Sequence, residues 1–186
     1  MSCFANSQYS LAPGCWASLS AAKKGSGGIQ LGCNAPPAKQ TVVWVLITIP
    51  VMALALALAM GISQLFRLPM GQSADASKFA QLPAWVLLIV IARAGFVEEF
   101  FCRGYAIDRM QRLTGSTALA VALPLGLFAV FHYRQGWAGI IIAFAAGAVL
   151  SWIFLFKRNL WIGIIVHFLV DLIPNVLLPL FGPGPK

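Results

Sequence analysis

From residue 41 onward the chain is a series of long apolar runs separated by short polar breaks. A helix needs about 20 consecutive, mostly apolar residues to cross the hydrocarbon core of a bilayer. Five runs approach that length: Val42–Phe66, Ala84–Ile107, Ala118–Tyr133, Trp137–Phe156 and Leu160–Leu180. They are too long and too evenly apolar for barrel strands, which alternate over about 10 residues, whereas a helix closes every backbone hydrogen bond within its own segment. Leu54–Ala59 (LALALA) alternates as a strand would, but it lies inside a longer run, so helix is expected. Pro83 is placed to open the second helix. Pro124 and Pro174 fall inside the third and fifth, and a kink is expected at such positions. In the fourth, Gly139, Ala143, Gly147 and Ser151 set a small residue at every fourth position, a stripe that lets a neighbouring helix pack closely. The pattern predicts an all-α integral membrane protein, a bundle of about five transmembrane helices over residues 41–182.

Composition agrees. Only 10% of the 186 residues are charged and 60% are hydrophobic, against about 25% charged in soluble domains. The net charge of +8 would suggest nucleic acid in a soluble chain. Here the basic residues sit in short loops, which makes them a topology signal and excludes a nucleic-acid partner. Lys23, Lys24, Lys39, Arg109, Arg112, Lys157 and Arg158 fall on one side, against Arg67, Lys78, Arg134 and Lys186 on the other. That bias places the N-terminus in the cytoplasm and the protein in the cell membrane if its source is bacterial. Residues 1–40, rich in Ser, Ala, Gly and Pro, read as a disordered polar tail or as the product of a start codon assigned too early. Cys3, Cys15, Cys33 and Cys102 form no CxxC pair.

Arg93, Glu98, Glu99, Arg103, His132, His167 and Asp171 nevertheless lie within the apolar runs. Ionisable residues at such depth usually face the bundle interior and mark a functional site. Glu99 and Arg103 are four apart on one helix and are expected to form a structural ion pair. Glu98 points about 100° away around the helix and is the free carboxylate; Arg93 either offsets it or reaches for the opposite face. His167 and Asp171 share a helix face and can hydrogen-bond each other. Glu98 and His132 are equidistant in sequence from Gly115, in the polar turn of a helical hairpin, so a symmetric hairpin brings them to similar height. His167 lies about 12 Å into its own helix, a comparable depth. The three helices are thus expected to deliver Glu98, His132, His167 and Asp171 to one zone, opening toward the more basic side.

A carboxylate beside an imidazole can take a proton from water attacking a carbonyl carbon. In that scheme Glu98 is the base and His132 holds the water, with His167 and Asp171 stabilising the oxyanion. Asp171 donates only when protonated. The same residue types also ligate zinc, with Glu98, His132 and His167 the candidate ligands. HExxH is absent from the sequence. No cofactor is the favoured expectation, with zinc the alternative.

These residues resemble the three motifs of the CAAX protease and bacteriocin-processing (Abi) family of intramembrane proteases: EExxxR in Glu98, Glu99 and Arg103; FxxxH in Phe128 and His132; and HxxxN or HxxxD in His167 and Asp171. Arg103–Tyr105 (RGY) and Asn159–His167 (NLWIGIIVH) are also similar to the family's flanking sequence. The resemblance spans roughly residues 84–175. It implies a membrane endopeptidase with Glu98 and His132 as the water-activating pair and His167 and Asp171 as transition-state stabilisers. Glu99, Arg103 and Phe128 are then site support. The family has been described both as metalloproteases and as glutamate-dependent proteases. Two departures stand out: one helix precedes the first motif where many members have more, and Asp171 stands where many have Asn. The partners implied are a peptide or membrane-protein substrate and the lipid bilayer. A non-catalytic bacteriocin-immunity or scaffold protein of the same family is the alternative, and a proton-coupled transporter a third reading, for which no inverted repeat is visible.

Overall fold

A computed structural model describes residues 37–71 and 81–181. The described residues contain helices and turns and no strand. The first helix, α1 (Ala38–Leu65), begins inside the stretch expected to be tail. The rest of that stretch, with Cys3, Cys15 and Cys33, lies outside the described residues, as do Lys78 and Lys186. LALALA is helical, as its length of apolar context predicts.

The second run starts at Pro83, the N-cap of α2 (Ala84–Glu99). The helix then widens into a π-helical segment, Phe100–Ala106, and returns to α geometry as α3 (Ile107–Thr114). Gly115, at φ 66°, ends α3 in the left-handed conformation a glycine adopts without strain. Ser116 caps α4 (Thr117–Phe131) by accepting from the Leu119 N–H at 3.4 Å. Pro124 sits buried within α4, which continues past it to Phe131. A 3-10 turn, Tyr133–Gln135, leads to α5 (Gly136–Lys157). Arg158 and Asn159 make the tight connection to α6 (Leu160–Leu172), with Asn159 accepting from the Trp161 N–H at 2.8 Å. At Pro174 the chain becomes π-helical (Ile173–Leu177) before a last turn, α7 (Leu178–Phe181). Pro174 cannot donate to the helical ladder, and here the Asn175 side chain donates to the Asp171 carbonyl at 2.8 Å.

Three helical stretches are long and apolar enough to cross a membrane: Ala38–Leu65, Tyr133–Lys157 and Leu160–Leu177. The other two expected spans exist as helices but differ from that standard. α4 is apolar but has only 15 residues, and α2 carries Arg93, Glu98 and Glu99. This is a helical membrane protein in which the two less regular helices carry the first two motifs.

The bundle is organised around α5, which packs against α1 on one side and α4 on another, while α2 packs against α6. Val45 and Met52 of α1 meet Val149, Leu150 and Ile153 of α5 and Ile162 and Val166 of α6 in the main core. The small-residue stripe of α5 is buried throughout. Outward-facing Leu46, Leu54, Leu58, Ile89, Leu127 and Phe144 are exposed, a cost in water and none in lipid. At one end, the Gly71 N–H donates to the Gln135 carbonyl at 2.8 Å and ties the chain after α1 to the α4–α5 turn. A Cβ on Gly71 or Gly136 would collide with the opposing backbone, so this close approach needs glycine at both positions.

Candidate active site

The widened segment at Phe100–Ala106 follows Glu98 and Glu99 directly, and π-helical turns occur frequently at functional sites. Arg103 lies within it and is 1% exposed, as is Glu99. Two charges that deep are tolerated only when well partnered. Arg103 Nη1 donates to Glu99 Oε1 at 2.8 Å, and Nη2 donates to the Gly147 carbonyl at 3.2 Å. Its guanidinium also lies 4.4 Å from the centre of the Phe128 ring, a cation–π arrangement. Among the described residues no buried side-chain nitrogen or oxygen lacks a hydrogen-bond partner.

Glu99 has a second partner that helix spacing does not reveal. Its Oε1 accepts from His167 Nδ1 at 3.0 Å, across 68 residues of sequence. A carboxylate can only accept, so Nδ1 carries the hydrogen and Nε2 faces the site. The expected Glu99–Arg103 pair is present, but it also orients an imidazole from another helix. His167 Nε2 lies 3.8 Å from Glu98 Oε2 and 3.5 Å from Asp171 Oδ2. The two neighbouring carboxylates of α2 differ sharply: the Glu98 side chain is 36% exposed and that of Glu99 1%.

His132 caps the C-terminus of α4. Its Nδ1 is 2.8 Å from the Phe128 carbonyl. A carbonyl only accepts, which places the hydrogen on Nδ1 and a lone pair on Nε2 of the neutral ring. The Phe128 ring packs near both imidazoles, its centre 4.8 Å from that of His132 and 6.5 Å from that of His167. Arg93 is exposed on α2, away from the residues lining the cavities.

Two cavities meet at Phe128, His132 and Gln135. One, about 440 Å³, is bordered also by Glu98, Cys102 and Arg134. The other, about 260 Å³, is bordered also by His167 and Asp171 and by Met52 and Leu56 of α1. Both reach the Tyr133–Gln135 turn, and none of their lining residues comes from Ile107–Ser116 or Lys157–Asn159. This corrects the expectation that the zone opens toward the more basic side. The Arg109, Arg112, Lys157 and Arg158 loops lie at the end of the bundle opposite that turn, because α4 and α5 each run the length of the bundle between them.

Among the described residues no group of three His, Cys, Asp or Glu side chains is arranged to hold a metal ion.

Sequence reasoning missed the Glu99–His167 contact, the Gly147 carbonyl and Gln135. The stripe pattern gives Gly147 only a packing role. A Cβ there would sit 2.7 Å from Leu125 Cδ1, 2.9 Å from Arg103 Nη2 and 3.0 Å from Phe128 Cδ1, and one on Gly163 would sit 2.9 Å from Glu99 Oε2. Gly147→Ala and Gly163→Ala are each expected to destabilise the protein by about 1–3 kcal/mol through overpacking. Gly126→Ala, where a Cβ meets nothing within 4 Å, serves as the control. Thermal unfolding in detergent checks this: the first two melt earlier than the wild type, and Gly126→Ala does not.

A comparison with curated proteins and one with solved structures returned no match. The family model for type II CAAX prenyl endopeptidases, Rce1-like, matches residues 80–173, a stretch that contains Glu98, Glu99, Arg103, His132, His167 and Asp171. The chain belongs to the type II CAAX prenyl endopeptidase Rce1-like family.

Proposed function

We propose that the protein is an intramembrane endopeptidase that hydrolyses a peptide bond in a membrane-associated or hydrophobic peptide, with residues 84–175 as its catalytic core. The observation that carries this reading is the difference between the two carboxylates of α2: Glu99 is buried and doubly engaged, while Glu98 borders a cavity together with His132.

A water between Glu98 and His132 has two hydrogens to give and two acceptors to receive them, the Glu98 carboxylate and the His132 Nε2 lone pair. Its oxygen lone pair is then free to attack a carbonyl carbon. Glu98 takes one proton as the C–O bond forms. The carbonyl oxygen becomes an oxyanion, which His167 stabilises from Nε2 in its doubly protonated form, joined by Asp171 when Asp171 is protonated. As the intermediate collapses, the C–N bond breaks and the proton held by Glu98 passes to the leaving amine. One water is consumed, and a carboxyl and an amine are formed. Glu99 fixes the His167 ring, and Arg103 fixes Glu99. A scaffold reading accounts for the buried Glu99–Arg103–His167 cluster but gives no role to Glu98 and His132 at a cavity wall.

The test uses wild type and Glu98→Gln in proteoliposomes. Both are offered a farnesylated peptide ending in a CAAX sequence and a panel of unmodified apolar peptides, and products are read by mass spectrometry. Cleavage by the wild type and none by Glu98→Gln is expected; no cleavage of any peptide by the wild type overturns the reading. The proposed mechanism uses no metal. Activity is accordingly expected to survive dialysis against EDTA and 1,10-phenanthroline; loss that zinc restores contradicts it.

A further inference from the structure

We propose that Gln135 is a substrate-contacting catalytic residue, its side-chain amide donating to the peptide carbonyl whose oxygen becomes the oxyanion. The inference rests on the peptidase reading and adds to it a donor outside the three motifs.

Gln135 is one of the side chains at which the two cavities meet, with Phe128 and His132. It follows His132 by three residues through a 3-10 turn that the Gln135 N–H closes on the His132 carbonyl at 2.9 Å. In 3-10 geometry residues three apart eclipse, so His132 and Gln135 leave the turn on the same side, and both line the two cavities. The turn is held from outside by the Gly71 N–H on the Gln135 carbonyl at 2.8 Å. Gly139, one turn into α5, leaves room for the side chain: a Cβ there would run into Gln135 Cβ and lie 3.2 Å from its amide oxygen. The first residue of the small stripe thus accommodates a side chain at the cavity wall.

The chemistry calls for such a group. Besides Gln135, the polar side chains bordering the two cavities are Glu98, Cys102, His132, Arg134, His167 and Asp171, and of these only the Arg134 guanidinium is, like an amide, a donor whatever the pH. Asp171 donates only when protonated, His167 Nε2 only in the imidazolium, and the His132 Nε2 lone pair is committed to water. A primary amide offers two N–H donors in every protonation state, and a neutral amide aimed at a developing oxyanion lowers the barrier without a proton of its own.

The experiment compares wild type, Gln135→Met (similar length, no donor) and Gln135→Glu on whichever peptide the wild type cleaves in proteoliposomes, with apparent Tm measured in detergent. For both variants kcat is expected to fall about 10²-fold, with KM changed less than about threefold and Tm unchanged. Gly139→Ala, which displaces the Gln135 side chain, is expected to lower kcat in the same sense. A kcat within about twofold of wild type for Gln135→Met overturns the inference and leaves the peptidase reading standing. A fall in Tm that accompanies the loss of kcat makes Gln135 structural and also overturns it. Absence of cleavage by the wild type removes both.

Discussion

Glu98→Gln is expected to lower peptide cleavage by about 10²–10⁴-fold, the range for loss of a positioned general base, while the protein melts at the wild-type temperature. Gln is isosteric with Glu and still accepts a hydrogen bond through its amide oxygen, so it can hold water but cannot take the proton. The Glu98 side chain is 36% exposed at a cavity, so its charge stabilises little of the fold. His132→Ala is expected to produce a loss of similar size, because it removes the second acceptor of the attacking water. The two losses should not multiply: each variant abolishes the same arrangement, and residues that act as a unit are non-additive. A Glu98→Gln/His132→Ala double variant near the level of the worse single variant is the outcome to look for in single-turnover kinetics.

Glu99→Ala is expected to act on stability as well as on rate. It leaves Arg103 charged and 1% exposed, with the Gly147 carbonyl and the Phe128 ring as its remaining partners. Breaking a buried pair from one side costs about 3–5 kcal/mol. It also frees His167 Nδ1 from the carboxylate that fixes its tautomer, a loss worth orders of magnitude where an imidazole depends on such a carboxylate. The two effects separate in Glu99→Leu/Arg103→Met. Removing both charges together relieves the uncompensated cation, and apolar replacement of a buried pair is often neutral or stabilising. The double variant should therefore recover most of the melting temperature lost by Glu99→Ala and little of its activity. Recovery of both would reduce the pair to a helix-registry device.

Periodicity and local spacing made much of this molecule legible. Each of the five apolar runs is helical among the described residues, because in lipid a backbone has few alternatives to an internal ladder. Spacing of four gave Glu99–Arg103, since both ends of that contact lie on one helix. It could not give Glu99–His167, a contact set by how α2 packs on α6. Nor could it show that Gly147, one of four small residues in a stripe, offers its carbonyl to Arg103 at the point where α5 passes the widened turn. The π-helical winding at Phe100–Ala106 has no signature in a window of apolar residues. The direction in which the cavities open was misread for a related reason. Loop charges report where loops sit relative to the bilayer, whereas the cavities are placed by side chains in the middle of the bundle and by the α4–α5 turn. An N-terminus in the cytoplasm, the orientation expected from the loop charges, would put the turn bordering the cavities on the other face, so that orientation and a site opening to the cytoplasm exclude each other.

In the proposed reaction Glu98, beside His132, activates the water that cleaves the peptide. The most direct test is peptide hydrolysis in water enriched in ¹⁸O by wild type and by Glu98→Gln reconstituted in bilayers at equal amounts. The account predicts one ¹⁸O in the new carboxyl terminus made by the wild type, and no product above background from Glu98→Gln. Equal cleavage by the two proteins would contradict it.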